Sequence, residues 1–209
     1  MYKNIFGEVI SKSNAVKLNE YHLYYYDENT EVLKEIEFIS EDNIYNINYF
    51  LNDNDDEEQI LDYLKEKSDF FDIEKRETGE GYIISTNKLY SLSVDDHPLI
   101  SKTVFTLDDP ENFICSQVID NETEEPQFEK TVKCWYTTDE NGEKYAAIEC
   151  SYQEDGKLEL AIDKTSDPEN EQNWDHYDDE TFQELQDKFV TDISYYKTAA
   201  LLPKEAYQQ

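Results

Sequence analysis

Residues 130–164 read KTVKCWYTTDENGEKYAAIECSYQEDGKLELAIDK and decide the fold. Apolar residues alternate with polar ones in three runs, and the tripeptides Glu-Asn-Gly at 140–142 and Glu-Asp-Gly at 154–156 separate the runs. Alternation with a period of two is typical of a strand with one buried face, and Asn-Gly and Asp-Gly are turn signals. The alternating apolar residues are Val132, Cys134, Tyr136, Ala146, Ile148, Cys150, Tyr152, Leu158, Leu160 and Ile162. The sequence therefore predicts three strands joined by two tight turns.

The register of these strands depends on the length of each turn. A two-residue loop would place apolar residues opposite polar or small ones, whereas a three-residue loop with Gly142 or Gly156 in the left-handed region puts the apolar set on one face. The predicted pairs are Tyr136–Ala146, Cys134–Ile148, Tyr152–Leu158, Cys150–Leu160 and Ile148–Ile162. We predict a three-stranded antiparallel meander over about 130–164. Because Cys134 and Cys150 lie diagonally in this register, we expect free thiols.

The opposite face of the predicted meander has two interpretations. In the first it is a solvated face on which a second layer covers Trp135. In the second it is an acidic contact surface with Trp135 and Tyr145 as aromatic anchors, since aromatic residues dominate binding energy at interfaces. The candidate partner-binding residues on this reading are Trp135, Tyr145, Glu149, Glu159 and Asp163.

Two segments have helical patterns. Asn54 followed by Glu57 suggests a cap for a short helix over about 55–67. The second pattern predicts a C-terminal helix over about 179–201, which Pro203 ends. Its apolar stripe, spaced by three or four residues, is Phe182, Leu185, Phe189, Ile193, Tyr196 and Ala200.

Weaker strand signals complete the organisation. Residues 21–26 and 31–39 flank a turn at Asp27-Glu28-Asn29-Thr30, and residues 70–77 and 82–85 flank Thr78-Gly79-Glu80-Gly81, so each set predicts a hairpin. We therefore expect an α+β fold with an antiparallel sheet built from hairpins and few helices. We expect a single domain over 1–209, with residues 104–127 as the place where two lobes would divide.

The charge of the chain is extreme and evenly spread. Its 209 residues contain 50 Asp and Glu against 18 Lys and Arg, a net charge of −32. Residues 1–50, 51–100, 101–150 and 151–209 carry net charges of −5, −9, −8 and −10. Direct binding to nucleic acid or to an anionic membrane needs basic residues, so this charge argues against both. It favours a cationic partner over generic solubility, because such self-repulsion costs stability.

The sequence offers few groups for catalysis or a cofactor. Nucleotide-binding glycine motifs and a G-x-S-x-G motif are missing, and three cysteines without a CxxC pair do not predict a disulfide framework or a zinc site. The N-terminus has no apolar signal region, so we expect a cytoplasmic protein. We expect no cofactor.

His176 is the best candidate for chemistry. It lies in the sequence Trp-Asp-His-Tyr-Asp-Asp at 174–179, so Asp175, His176 and Asp178 are weak candidates for a metal site or a perturbed histidine. The alternative is a capping segment at the N-terminus of the last helix, where the helix dipole favours acidic residues. His22 is expected to be structural in an aromatic strand, and His97 to lie in a turn.

These observations leave three hypotheses for function. The first is a non-enzymatic immunity protein or inhibitor that neutralises a basic toxin such as a nuclease. The second is a nucleic-acid mimic that blocks a DNA-binding defence protein. The third is an enzyme or metal-binding protein that uses the His176 cluster.

Overall fold

A computed structural model describes residues 1–27, 32–41, 43–139 and 141–203. Its β-strands are β1 (Tyr2–Lys3), β2 (Val9–Ile10), β3 (Glu20–Tyr26), β4 (Leu33–Ser40), β5 (Asn43–Leu51), β6 (Phe70–Gly79), β7 (Tyr82–Ser91), β8 (Asp95–Thr106), β9 (Asp109–Ile119), β10 (Pro126–Thr138), β11 (Lys144–Tyr152), β12 (Leu158–Asp163) and β13 (Asp175–Tyr177). Its α-helices are α1 (Lys12–Ala15), α2 (Glu57–Lys67) and α3 (Phe182–Lys188), and Glu171–Asn173 and Ser194–Lys197 are short 3-10 helices.

The fold is mainly β, and the expectation of an α+β fold with hairpins plus helices was wrong. The strands form one mixed sheet in the order β13-β12-β11-β10-β9-β8-β7-β6-β5-β4-β3-β1-β2. β5 and β6 pair in parallel, with Ile47 opposite Phe71. The strands predicted over 70–77 and 82–85 are the longer β6 and β7, which are neighbours in the sheet, whereas β8 and β9, of 12 and 11 residues, were not predicted. His97 therefore lies in β8 and not in a turn.

The chain divides into two compact units, and we call them unit 1 (1–76 and 85–100) and unit 2 (77–84 and 101–209). Residues 104–127, where we expected two lobes to divide, lie within unit 2. The single domain over 1–209 stays a prediction.

Unit 1 is organised around the parallel pair β5–β6 and the helix α2 that joins the two strands. Parallel strands need such a crossover connection. The helix expected near 55–67 is present, but its cap is Asp56, whose Oδ1 accepts from the backbone N–H groups of Glu58 (3.1 Å) and Gln59 (3.3 Å). Leu64 of this helix is buried in a core with Ile47, Tyr49, Phe71, Ile73 and Tyr90.

The first predicted hairpin is also in unit 1. β3 and β4 pair antiparallel, with Tyr21 opposite Ile39. Most of the predicted turn at 27–30 lies outside the described residues. His22 packs edge-on against Phe38 at 4.6 Å between ring centroids.

Unit 2 contains the strands of the predicted meander, and its register is right only next to the turns. Tyr136 lies opposite Ala146 and Tyr152 opposite Leu158, as predicted, and Gly142 and Gly156 have φ of +84° and +79°. Register shifts between Trp135 and Tyr136 and between Ser151 and Tyr152 then move the pairing by one residue. Glu140, in the first turn, lies outside the described residues.

These shifts make three predicted pairs wrong. One extra residue in a strand reverses the face of the sheet on which every following side chain lies. Trp135 lies opposite Ile148, Cys134 opposite Glu149, and Cys150 opposite Ala161. The predicted pairs Cys134–Ile148, Cys150–Leu160 and Ile148–Ile162 were therefore wrong. The free thiols are confirmed, since Cys115, Cys134 and Cys150 are free and buried.

The predicted C-terminal helix over 179–201 was also wrong. α3 has seven residues, and Phe189 after it is extended. The following Val190, Thr191 and Ile193 are β-branched and poor helix formers. Instead, the Gln186 side chain accepts from the backbone N–H of Ile193 (2.8 Å) and donates to the backbone carbonyl of Thr191 (3.1 Å).

Most of the apolar residues of the predicted helix are still buried in the core. The C-terminal part of this segment is held by hydrogen bonds from a buried lysine. Lys133 is fully buried, and its Nζ donates to the backbone carbonyls of Tyr195 (2.8 Å) and Thr198 (2.7 Å). The same ammonium lies 3.4 Å from the centroid of the Tyr195 ring. The main core of unit 2 comprises Val104, Cys115, Ile148, Cys150, Tyr152, Leu158, Ala161, Tyr177, Phe182, Leu185, Ile193, Tyr195, Tyr196, Ala199 and Leu202.

Candidate functional site

The candidate site is an acidic concavity of about 760 Å³ in unit 2, which we call the acidic cleft. It lies between the β10–β11 turn and the segment that follows β12. Its lining residues are Thr138, Asp139, Asn141, Glu143, Lys144, Tyr145, Thr165, Ser166, Asp167, Pro168 and Glu169. Four of them are carboxylates and one is an ammonium, that of Lys144, which is bonded to Asp109 at 2.5 Å. The lining is therefore strongly negative.

The turn that forms one wall is held by Asp139. Its Oδ1 accepts from the backbone N–H groups of Glu143 (2.7 Å) and Asn141 (2.9 Å). These hydrogen bonds, that of Glu143 first, hold the pKa of Asp139 below its ordinary value. Gly142 supplies the left-handed residue that the turn needs. Asp139 thus holds the turn by these hydrogen bonds and stays ionised.

The other wall is the segment 164–169, and Asp163 fixes where it leaves β12. The Asp163 carboxylate is fully buried and accepts from the backbone N–H (2.9 Å) and the hydroxyl (2.6 Å) of Thr165 and from Lys188 Nζ (3.0 Å). Burial acts to raise the pKa of Asp163, but these hydrogen bonds outweigh it and hold the pKa below its ordinary value. Farther along, the Trp174 indole donates to the Asp167 carbonyl at 2.9 Å.

Tyr145 is the aromatic residue of the cleft. It is partly buried, and burial together with the charges of Asp163 and Asp139 raises its pKa. The phenol therefore stays protonated and can donate a hydrogen bond. An aromatic ring beside exposed carboxylates suits a cationic side chain, which gains both charge attraction and a ring contact.

The five predicted partner-binding residues do not form one surface. Trp135 packs edge-on against Phe189 at 5.0 Å in the core of unit 2, and Asp163 is fully buried. Glu149 lies beyond the register shift, opposite Cys134, and is bonded to Lys164. Glu159 is exposed on β12. Only Tyr145 lines the acidic cleft, where it is joined by acids that the sequence did not single out: Asp139, Glu143, Asp167 and Glu169.

The residues around His176 are used for structure. Asp175 is bonded to Lys188 at 2.7 Å. Asp178 accepts from the hydroxyl and the backbone N–H of Thr181 (2.8 and 2.9 Å), and these bonds lower its pKa. His176 itself is exposed on β13. Within the part of the chain that the structure describes, no group of three or more His, Cys, Asp or Glu side chains could hold a metal ion.

Sequence reasoning missed a second concavity, which lies in unit 1. It is lined by four tyrosines, Tyr25, Tyr26, Tyr49 and Tyr63, beside a buried carboxylate, that of Glu35. The run Tyr24-Tyr25-Tyr26 was the available signal, but it indicated only a strand.

Comparison with protein-family models, with curated proteins and with solved structures finds no match for this chain. Among the described residues, none of the helices has the length and apolar character needed to cross a membrane.

Proposed function

We propose that this chain is a non-enzymatic acidic binding protein that inhibits a basic macromolecular partner. Its simplest form is an immunity protein that neutralises a toxin such as a nuclease, acting in the cytoplasm. The observation that carries the proposal is the acidic cleft beside Tyr145, in a chain with a net charge of −32.

The use of basic residues supports this proposal. At least ten of the 18 Lys and Arg residues are bonded to carboxylates of the same chain: Lys34, Lys67, Lys75, Arg76, Lys88, Lys144, Lys157, Lys164, Lys188 and Lys197. Lys133 is buried against backbone carbonyls. Most of the scarce cations are thus paired within the chain, and the large excess of acids is left to face solvent and a partner.

The physics of such a surface favours an inhibitor of a cationic protein. A field of one sign raises the association rate with an oppositely charged partner and repels other acidic proteins. Carboxylates around an aromatic ring can cover the basic cleft of a nuclease, whose Lys and Arg residues exist to bind phosphates.

Affinity capture from the native host tests the proposal. The full chain, immobilised at low ionic strength, should retain a basic protein that is released as salt shortens the screening length. Recovery of no cationic protein would contradict the proposal.

Competition with duplex DNA then separates two mechanisms. An immunity protein can inhibit from over the substrate cleft or from beside it, so continued DNA binding by the captured partner excludes the mimic, whereas loss of DNA binding is compatible with both mechanisms. A nucleic-acid mimic, the alternative mechanism, excludes DNA from the partner completely.

A further inference from the structure

The second concavity has the properties of a binding site for an organic cation. We call it the tyrosine pocket; its volume is about 420 Å³, within the range of about 300–1,000 Å³ typical of ligand sites. Tyr25, Tyr26 and Tyr63 are 41%, 40% and 40% exposed, whereas Tyr49 is buried. The lining residues are Tyr25, Tyr26, Lys34, Glu35, Tyr49, Gln59, Ile60 and Tyr63.

Two buried carboxylates lie on β4 beneath these rings. Glu35 and Glu37 are 5% and 4% exposed. One ammonium serves both, since Lys67 Nζ lies 2.8 Å from Glu35 and 2.6 Å from Glu37. A second lysine of the lining, Lys34, is offset by its own carboxylate, Asp55, at 3.2 Å. The charged groups around the pocket therefore sum to a net negative charge.

The carboxylates also orient the rings. Tyr25 donates its hydroxyl to Glu37 at 2.8 Å, and Tyr63 donates to Glu35 at 3.0 Å. Burial, reinforced by these acidic partners, raises the pKa of both phenols. The rings stay neutral, and a phenol that donates to a carboxylate has a more electron-rich face. Both effects favour cation–π contact.

The protein already places its own cations against these rings. Lys67 Nζ lies 4.4 Å from the centroid of Tyr63 and 5.5 Å from that of Tyr25. Lys34 Nζ lies 5.7 Å from the centroid of Tyr49. These distances are within the roughly 6 Å of an effective cation–π contact. The open ring of Tyr26 has no such internal cation among the contacts of the described residues.

We propose that the tyrosine pocket binds one arginine side chain of the basic partner, an inference that rests on the proposed function. A guanidinium is planar, stacks on aromatic faces and is more weakly hydrated than an ammonium, so it suits a site walled by ring faces. Its N–H groups can donate to the tyrosine hydroxyl oxygens and to the side-chain carbonyl of Gln59. The net negative surroundings supply the long-range attraction.

A small probe tests the pocket without the partner. N-acetyl-arginine amide is titrated into the full chain at constant ionic strength and followed by NMR. We expect saturable shifts at tyrosine resonances with a Kd on the order of 1–10 mM. The citrulline analogue, which has the same shape without the charge, should not bind. Equal binding of the two probes would overturn the inference.

Matched tyrosine variants locate the site. Tyr26→Ala should weaken arginine binding by about 3- to 30-fold, and Tyr26→Phe, which keeps the ring, should restore it. Tyr45→Ala is the control, because Tyr45 is 49% exposed in the same unit but does not line the pocket. Equal effects of Tyr26→Ala and Tyr45→Ala would contradict the assignment.

The two proposals fail separately. If the probe binds through Tyr26 and capture recovers no basic protein, the pocket stands as a cation site and the inhibitor function falls. If a basic partner is recovered but Tyr26→Ala changes neither its affinity nor that of the probe, the inhibitor function stands and the pocket assignment is wrong.

Discussion

The acidic cleft of unit 2 and the tyrosine pocket of unit 1 use charge in opposite ways. In the cleft the carboxylates of Glu143 and Glu169 are exposed, and aromatic surface is limited to Tyr145. In the pocket the carboxylates of Glu35 and Glu37 are buried against Lys67, while three of the four tyrosines, Tyr25, Tyr26 and Tyr63, are exposed. Exposed charge acts over a distance and is screened by salt, whereas a ring acts only at contact. Under the proposed function, we expect the cleft to act on the association rate and the pocket to act on the affinity at contact.

The largest effect should come from removing the ammonium beneath the pocket. Lys67→Met leaves Glu35 and Glu37 buried without a counter-charge, which typically costs about 3–5 kcal/mol. We expect that loss in the free energy of unfolding at pH 7, measured by urea denaturation. Lys65→Met, an exposed lysine of the same helix, should change it by less than about 0.5 kcal/mol. Equal stabilities of the two variants would show that Lys67 does not offset the glutamates.

Asp72 is a buried carboxylate in unit 1 whose ionisation should lower the free energy of unfolding. Burial, with a smaller contribution from Glu74, raises its pKa from 3.8 to about 7. The folded state therefore binds the proton more tightly than the unfolded state, so this group costs stability progressively as pH rises from about 4 to 7.

Asp72→Asn removes that cost. It should increase the free energy of unfolding by about 2–4 kcal/mol at pH 8 and have little effect at pH 4. Denaturation at both pH values measures the difference. A gain that is the same at both pH values would mean that ionisation of Asp72 is not its cause.

Neutralising the cleft should barely change stability. Glu143→Gln with Glu169→Gln removes two exposed charges from a surface with excess negative charge, so we expect a change within about 0.5 kcal/mol. The matched control is Glu122→Gln with Glu154→Gln, exposed acids outside the cleft. A loss of several kcal/mol in the cleft variant alone would assign those acids a structural role.

The smallest effect is expected at His176. Since Asp175 and Asp178 are engaged by Lys188 and Thr181, His176→Ala should leave both stability and partner neutralisation unchanged. If the folded variant no longer neutralises the partner, the residues around His176 are a functional site after all.

The sequence predicted features that local pattern controls. The β3–β4 hairpin, the helix near 55–67 and the left-handed glycines 142 and 156 are present. Each depends on alternation, helical spacing or turn chemistry within a few residues, although the helix is capped by Asp56 and not by the predicted Asn54.

The predictions that were wrong concern features that depend on contacts between residues far apart in the sequence. Whether a strand contains a bulge is decided by packing on both faces, and the shift next to Trp135 turns that side chain toward Phe189, far along the chain. The predicted helix end was lost because Lys133 and Gln186 stabilise an irregular chain. The tyrosine pocket combines residues of β3, β4, β5 and α2, which no local pattern brings together.

The central claim is that an acidic surface around the cleft recognises a basic partner. Parallel capture from the same host lysate with three baits tests it most directly: the wild-type chain, Glu143→Gln with Glu169→Gln, and Glu122→Gln with Glu154→Gln. Both variants have the same net charge, so only the position of the lost acids differs. We predict that a basic protein is recovered on the wild-type and control baits and falls by about 3- to 10-fold on the cleft variant. Equal recovery on all three baits, or recovery of no basic protein on any, would contradict the claim.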